Sequence, residues 1–175
     1  MTDKDRTLVV FPIVYDPHKP SSSFLEIAKR TKGTTLILFN DNESCFLQKS
    51  RNRGGGNAIV RPFRGTLSAG IPTGHRGGYA ELTPRVKTLI DGAFQIIQTM
   101  LQNHENFVAV AYSARSLKDP TLGSGIFKCA DAVMKYITTK IHALGTLQKP
   151  SDGSGLPTPA PRKIAESQDA ESPSS

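Results

Sequence analysis

One polar run and three glycine-rich clusters hold most of the groups in this sequence that could take part in chemistry. The polar run, Asn40-Asp41-Asn42, follows the apolar stretch Thr34–Phe39. Its polar side chains stand where a loop leaves a strand, and Asp41 can equally cap a turn there. In Arg53-Gly54-Gly55-Gly56-Asn57-Ala58, successive glycines permit positive φ and leave no Cβ between backbone N–H groups and a ligand. That suits a phosphate or a closely approached ribose, although a flexible linker has the same composition. The cluster Ser68–Gly78 contains Gly70-Ile71-Pro72-Thr73-Gly74, where a proline between glycines predicts an ordered turn. The Thr73 hydroxyl there suits a ligand or a turn carbonyl. His75 has no cysteine or triad aspartate near it and reads as exposed, not catalytic. The last cluster, Leu122-Gly123-Ser124-Gly125-Ile126-Phe127, lies between a strand pattern and a helix pattern. The unpaired N–H groups of a helix's first turn, with its dipole, favour an anion, and glycine ahead of them lets a diphosphate come close. The spacing is neither GxGxxG nor GxxxxGK[ST], so the common dinucleotide and P-loop readings are disfavoured.

The apolar periodicity supplies elements to position these groups. Arg6–Val14 and Thr34–Phe39 read as buried strands, apolar almost throughout, as expected when both faces of a sheet are covered. A short helix, Phe24–Arg30, lies between them after the possible caps Ser21–Ser23, and Gly33 ends it. Asn40–Gly56 reads as a loop and Asn57–Phe63 as a third strand. Thr83 and Pro84 form a strong helix start, followed by Val86, Ile90, Phe94, Ile97 and Leu101 at helical spacing. Phe107–Tyr112 is a further strand, and a last helix carries Ile126, Ala130, Val133, Ile137, Ile141 and Leu144 on one stripe. Strands alternating with helices predict a three-layer α/β/α sandwich with a mixed, mainly parallel sheet. In such folds ligands bind where loops leave the carboxyl ends of the strands: Asn40–Asn42 directly follows one strand, and Ser113–Gly125 directly follows Phe107–Tyr112 and runs into a helix N-terminus.

The 175 residues suit one domain, expected over 1–148, followed by a disordered Pro/Ser-rich tail over 149–175 that lacks the apolar residues to order itself. Two cysteines, Cys45 and Cys129, make no disulfide framework, and no metal-ligand spacing occurs. No metal and no other cofactor is expected. No apolar run reaches the length of a membrane span and no signal-peptide pattern opens the chain, so a soluble, cytoplasmic protein is expected. The net charge of +7 concentrates between Gln48 and Lys87, where eight Lys and Arg face one carboxylate, Glu81. Such a surplus raises the local concentration of an anionic partner, or is a solvated basic face.

The residues Asn40-Asp41-Asn42, Gly54-Gly55-Gly56-Asn57-Ala58 and Gly123-Ser124-Gly125-Ile126-Phe127, in this order along the chain, resemble a macro domain. The chain is also similar to uncharacterised, mostly prokaryotic and phage domains with the pattern Asp-Asn, Gly-Gly-x-Ala-x-x-Arg and Gly-Ile-Pro-Thr. Here these are Asp41-Asn42, Gly55–Arg61 and Gly70–Thr73. The resemblance implies a macro-like fold that binds ADP-ribose or a related nucleotide diphosphate, free or on an ADP-ribosylated macromolecule. Some members also hydrolyse an ADP-ribosyl or phosphate ester bond. By that resemblance Gly123–Phe127 would hold the diphosphate through backbone N–H groups, with Phe127 shielding the distal ribose. Gly54–Asn57 and Asn40 or Asn42 would hold that ribose, and Arg61 would be a second charge contact or an ion pair. In a hydrolase, Asp41 or Asn42 would position the attacking water. The alternative is a non-enzymatic nucleic-acid-binding protein using the Lys49–Lys87 surface, for which aromatic residues are few (Phe46, Phe63, Tyr79) and no RNA-binding sheet motif is present.

Overall fold

The structure is a computed structural model that describes residues 7–75, 77–123 and 128–156. Five strands, β1 (Val9–Ile13), β2 (Thr35–Asn42), β3 (Ser68–Gly74), β4 (Ala109–Ser113) and β5 (Thr146–Leu147), form one sheet in the order β3-β2-β4-β1-β5. Every pairing is parallel, so the expected mixture of directions is absent from the named strands. Parallel neighbours cannot be joined by tight hairpins, and the connections carry the helices α1 (Phe24–Arg30), α2 (Glu43–Leu47), α3 (Pro84–Asn103) and α4 (Asp131–His142). A 3-10 helix, Gly56–Phe63, also lies between β2 and β3.

Alternation along the strands divides the core into two layers. Leu36 and Leu38 of β2 pack with Val86, Ile90, Phe94 and Ile97 of α3 and with Val133, Ile137 and Ile141 of α4. Ile37 and Phe39, on the opposite face, pack with Phe24 and Ile27 of α1 and with Ala58 and Val60 of the 3-10 helix. The architecture is thus the expected three-layer α/β/α sandwich, and the unbroken apolar run of β2 reflects burial on both faces. Thr83 caps α3 by accepting a hydrogen bond from the Val86 N–H at 3.2 Å, with Pro84 in the first turn. Among the described residues no helix is long and apolar enough to cross a membrane.

Four segments differ from the sequence expectation. Asn57–Phe63 is the 3-10 helix, not a strand. Its three-residue period lets Arg61 and the capping residue Arg64 reach the same buried carboxylate, which the two-residue period of a strand would not. The Gly70–Thr73 block is the buried edge strand β3, not a turn. Pro72 is tolerated because an edge strand need not donate on both sides, and the true turn residues are Gly74 and Gly78, with φ of 129° and 93°. The expected loop over Asn40–Gly56 is ordered through Leu47, since β2 runs on to Asn42 and α2 follows it directly, and irregular chain begins only at Gln48. Finally, the chain packs well past residue 148. Val14 N–H donates to Ser151 O at 2.9 Å, Ser151 N–H to Pro12 O at 3.0 Å, Ser21 Oγ to Asp152 O at 3.1 Å, and Leu156 packs against the second core cluster. Composition marks a tail at 149, but backbone groups of residues 151–153 satisfy partners on β1 and α1, so the body extends through Leu156.

Candidate functional site

β2 and β4 are neighbours, yet the chain leaves β2 towards β3 on one side and leaves β4 towards β5 on the other. Diverging connections open a crevice at the carboxyl ends of such a strand pair, the place where parallel α/β sheets bind ligands. The segment after β4 makes an excursion and returns, because Ala114 pairs with Leu122 and Gly123 N–H donates to Ser113 O at 2.9 Å. That return sets Gly123 at the head of β4. Asn40, on β2, closes the gap: its Nδ2 donates to Gly123 O at 2.6 Å.

Asn42 stands two residues further along, half-buried, and its Oδ1 accepts from Ser44 N–H at 2.9 Å as the N-cap of α2. The structure therefore brings Asn40 and Gly123 together, while the Asn42 side chain is turned to the start of α2. Ser124, Gly125, Ile126 and Phe127, expected to hold the diphosphate, lie outside the described residues. One expectation about them changes nonetheless: α4 begins at Asp131, and Lys128–Ala130 ahead of it are not helical. Ala130 N–H donates to Tyr79 O at 2.8 Å, and a Cβ on Gly78 would lie 2.8 Å from the backbone of Lys128 and Cys129. The glycine loop is thus not directly followed by a helix N-terminus.

Asp41 points to the other face and does different work. It is fully buried, with Arg61 Nε 2.9 Å and Arg61 Nη2 2.8 Å from Oδ1, and Arg64 Nη2 paired to Oδ2. A carboxylate with both oxygens held by guanidiniums under the 3-10 helix positions no water at the crevice. Arg61 is correspondingly an ion pair and not a ligand contact, and its Nη1 also donates to Asn52 O at 3.0 Å. Thr73 is fully buried and its hydroxyl donates to Asp41 O at 3.3 Å, so it presents nothing to a ligand. Gly54 is a packing glycine, since a Cβ there would lie 2.6 Å from Ala58 Cβ and 2.9 Å from Arg61 Nη1. Gly55 and Gly56 have open space around the Cβ position, Gly56 at φ 53°, and Asn57 after them is half-buried. His75 is exposed, 3.3 Å from Ser44 Oγ through Nδ1.

Sequence reasoning missed a charged cluster beside Asn42. The Glu43 carboxylate accepts from Tyr79 Oη at 2.7 Å and from Arg85 Nη1 at 3.2 Å. The Arg85 hydrogen bond, aided by Tyr79 and by the positive field of Arg85 and His75, outweighs burial and holds the Glu43 carboxyl below the usual carboxylate range. Burial, reinforced by Glu43, pushes the Tyr79 phenol up. The cluster is a fixed ionised acceptor beside the amide of Asn42. Its members lie 36 and 42 residues apart, a separation with no signal in the sequence. Among the described residues, no group of three or more His, Cys, Asp or Glu could hold a metal ion.

No known protein family, no curated protein and no solved structure matches the chain.

Proposed function

We propose that the chain binds ADP-ribose or a related nucleotide diphosphate in the crevice between the carboxyl ends of β2 and β4. The observation that carries this reading is the Asn40–Gly123 hydrogen bond at the point where the two connections diverge. It ties the amide-rich end of β2 to the start of the glycine-rich segment at the carboxyl end of the sheet, where parallel α/β folds bind ligands. Asn42 would contact the distal ribose, and residues 124–127, started from a Gly123 whose own N–H and carbonyl are taken by Ser113 and Asn40, would contact the diphosphate. Asp41 is left out of this site because Arg61 and Arg64 occupy its carboxylate, and the reading is one of binding.

Isothermal titration of the full chain with ADP-ribose, alongside AMP and a short RNA, tests it. Saturable ADP-ribose binding is expected, lost on Gly125→Glu and weakened roughly tenfold by Asn40→Ala, the scale of one lost hydrogen bond to a constrained site. RNA binding that falls steeply with salt, with no response to ADP-ribose, would instead favour the basic surface as the functional one.

A further inference from the structure

A second concavity lies away from the β2–β4 crevice, at the outer edge of the sheet. It encloses about 490 Å³ between α2, α3 and the first half of β3. Phe46 and Leu47 of α2, Ile96 and Met100 of α3, and Gly65 with Ser68–Gly70 line it. Leu47 and Ile96 are 53% and 49% exposed, so two large aliphatic side chains stand at the rim. The charged lining residues are Lys49, Arg51 and Arg64, and no carboxylate lines the cavity. Arg64 is committed to Asp41, whereas Lys49 and Arg51 form no ion pair among the described residues.

Two features narrow the occupant. The edge is poorly suited to an added strand, because Pro72 offers no N–H and Ser68 O already accepts from Gly65 N–H at 3.0 Å. Lys49, in turn, occupies the left-handed position just past α2, at φ 51°, where glycine is the ordinary residue. Ser50 N–H to Cys45 O and Lys49 N–H to Phe46 O close the helix end in the pattern that demands this conformation. The chain thus accepts backbone strain and sets a cation beside an apolar cavity.

We propose that this cavity binds an amphipathic organic anion, with a single carboxylate or phosphate held at the mouth by Lys49 and Arg51 and an apolar body between Leu47, Ile96 and Met100. Its volume falls within the range of small-molecule sites, and its combination of apolar walls with a few convergent charges is their usual chemistry. The proposal shares no residue with the crevice contacts above, so either can fail alone.

The test is titration of the full chain with decanoate and decyl phosphate, against decanol, followed by calorimetry and by displacement of anilinonaphthalene sulfonate. Saturable binding of the anions, with decanol at least roughly tenfold weaker, is the expected result. Lys49→Glu should weaken decanoate roughly tenfold, and Lys49→Gly, which removes the cation while relaxing the backbone, should weaken it without loss of cooperative unfolding. ADP-ribose should not displace the dye. Equal binding of decanol and decanoate, indifference to both Lys49 variants, or displacement by ADP-ribose would each overturn the proposal. So would self-association abolished by Ile96→Asp, which assigns the cavity to a second copy, or binding to phosphatidylglycerol vesicles with none to monomeric decanoate, which assigns it to a membrane surface.

Discussion

Asn40 and Asp41 are adjacent, yet the strand turns them to opposite faces and gives them unrelated tasks. Asn40 ties the crevice together through Gly123 O, while Asp41 anchors the 3-10 helix through Arg61 and Arg64. Removing the carboxylate would strand two guanidiniums, one of them nine-tenths buried. Asp41→Ala is expected to cost about 3–5 kcal/mol of folding stability, read from urea denaturation. A cost below about 1 kcal/mol would mean that the guanidiniums find other acceptors and that Asp41 is available for other work. Gly70 belongs to the same arrangement, since a Cβ there would lie 2.6 Å from Asp41 Oδ2 and 2.9 Å from Arg64 Nη2. The glycine that reads as a turn residue in the sequence is the space the ion cluster occupies.

His142 offers a pH-dependent test at the same scale. Burial lowers its pKa below the ordinary 6.5, partly offset by a hydrogen bond at Pro120 O, and Tyr112 Oη lies 2.7 Å from its Nε2. Because the folded value is depressed, the unfolded chain takes up the proton first as pH falls. Stability should therefore decline as pH drops through 6.5 towards the folded value. Denaturation midpoints at about pH 7.5 and about pH 5.5, with His142→Gln as control, check this: the variant should lose part of the drop. An identical drop in both proteins would assign it to other groups.

At the scale of elements, legibility followed the strength of local signals. The start of α3 was plain in Thr83-Pro84 because capping and a fixed φ are local chemistry, whereas α1 lies over the expected Phe24–Arg30 without a side-chain cap from Ser23. The 3-10 helix was not legible, since Ala58 and Val60 alternate as strand residues do and the reason for helix, the reach of Arg61 and Arg64 to Asp41, lies 20 and 23 residues away. The end of α2 carries its own prediction. Lys49→Gly relieves the left-handed strain but frees the unfolded chain, and the net gain should be about 0.5–1 kcal/mol by thermal or urea unfolding. A destabilised variant would show that the Lys49 side chain makes contacts worth more than the strain.

For the molecule as a whole, one parallel sheet gathers the ends of β2 and β4 and leaves β3 and β5 as edges. Residues 149–156 close the molecule beside β1 and α1. A chain ending at Gln148 should unfold about 1–3 kcal/mol more easily than one ending at Leu156, given two lost backbone hydrogen bonds and the exposed Leu156 contact. Equal midpoints would return the boundary to where composition suggests it.

The sequence by itself determined the three-layer α/β class, the capped start of α3, and the placing of Asn40–Asn42 at the end of a strand. Periodicity, capping and turn chemistry are short-range properties that a linear string records. Only the tertiary structure decided that β3 is an edge strand, that Asp41 is an ion-pair hub, that Glu43, Tyr79 and Arg85 meet, and that a cavity opens between α2 and α3. Each of these depends on which strands become neighbours and which face each residue takes, and that choice is made by burial summed over the whole chain.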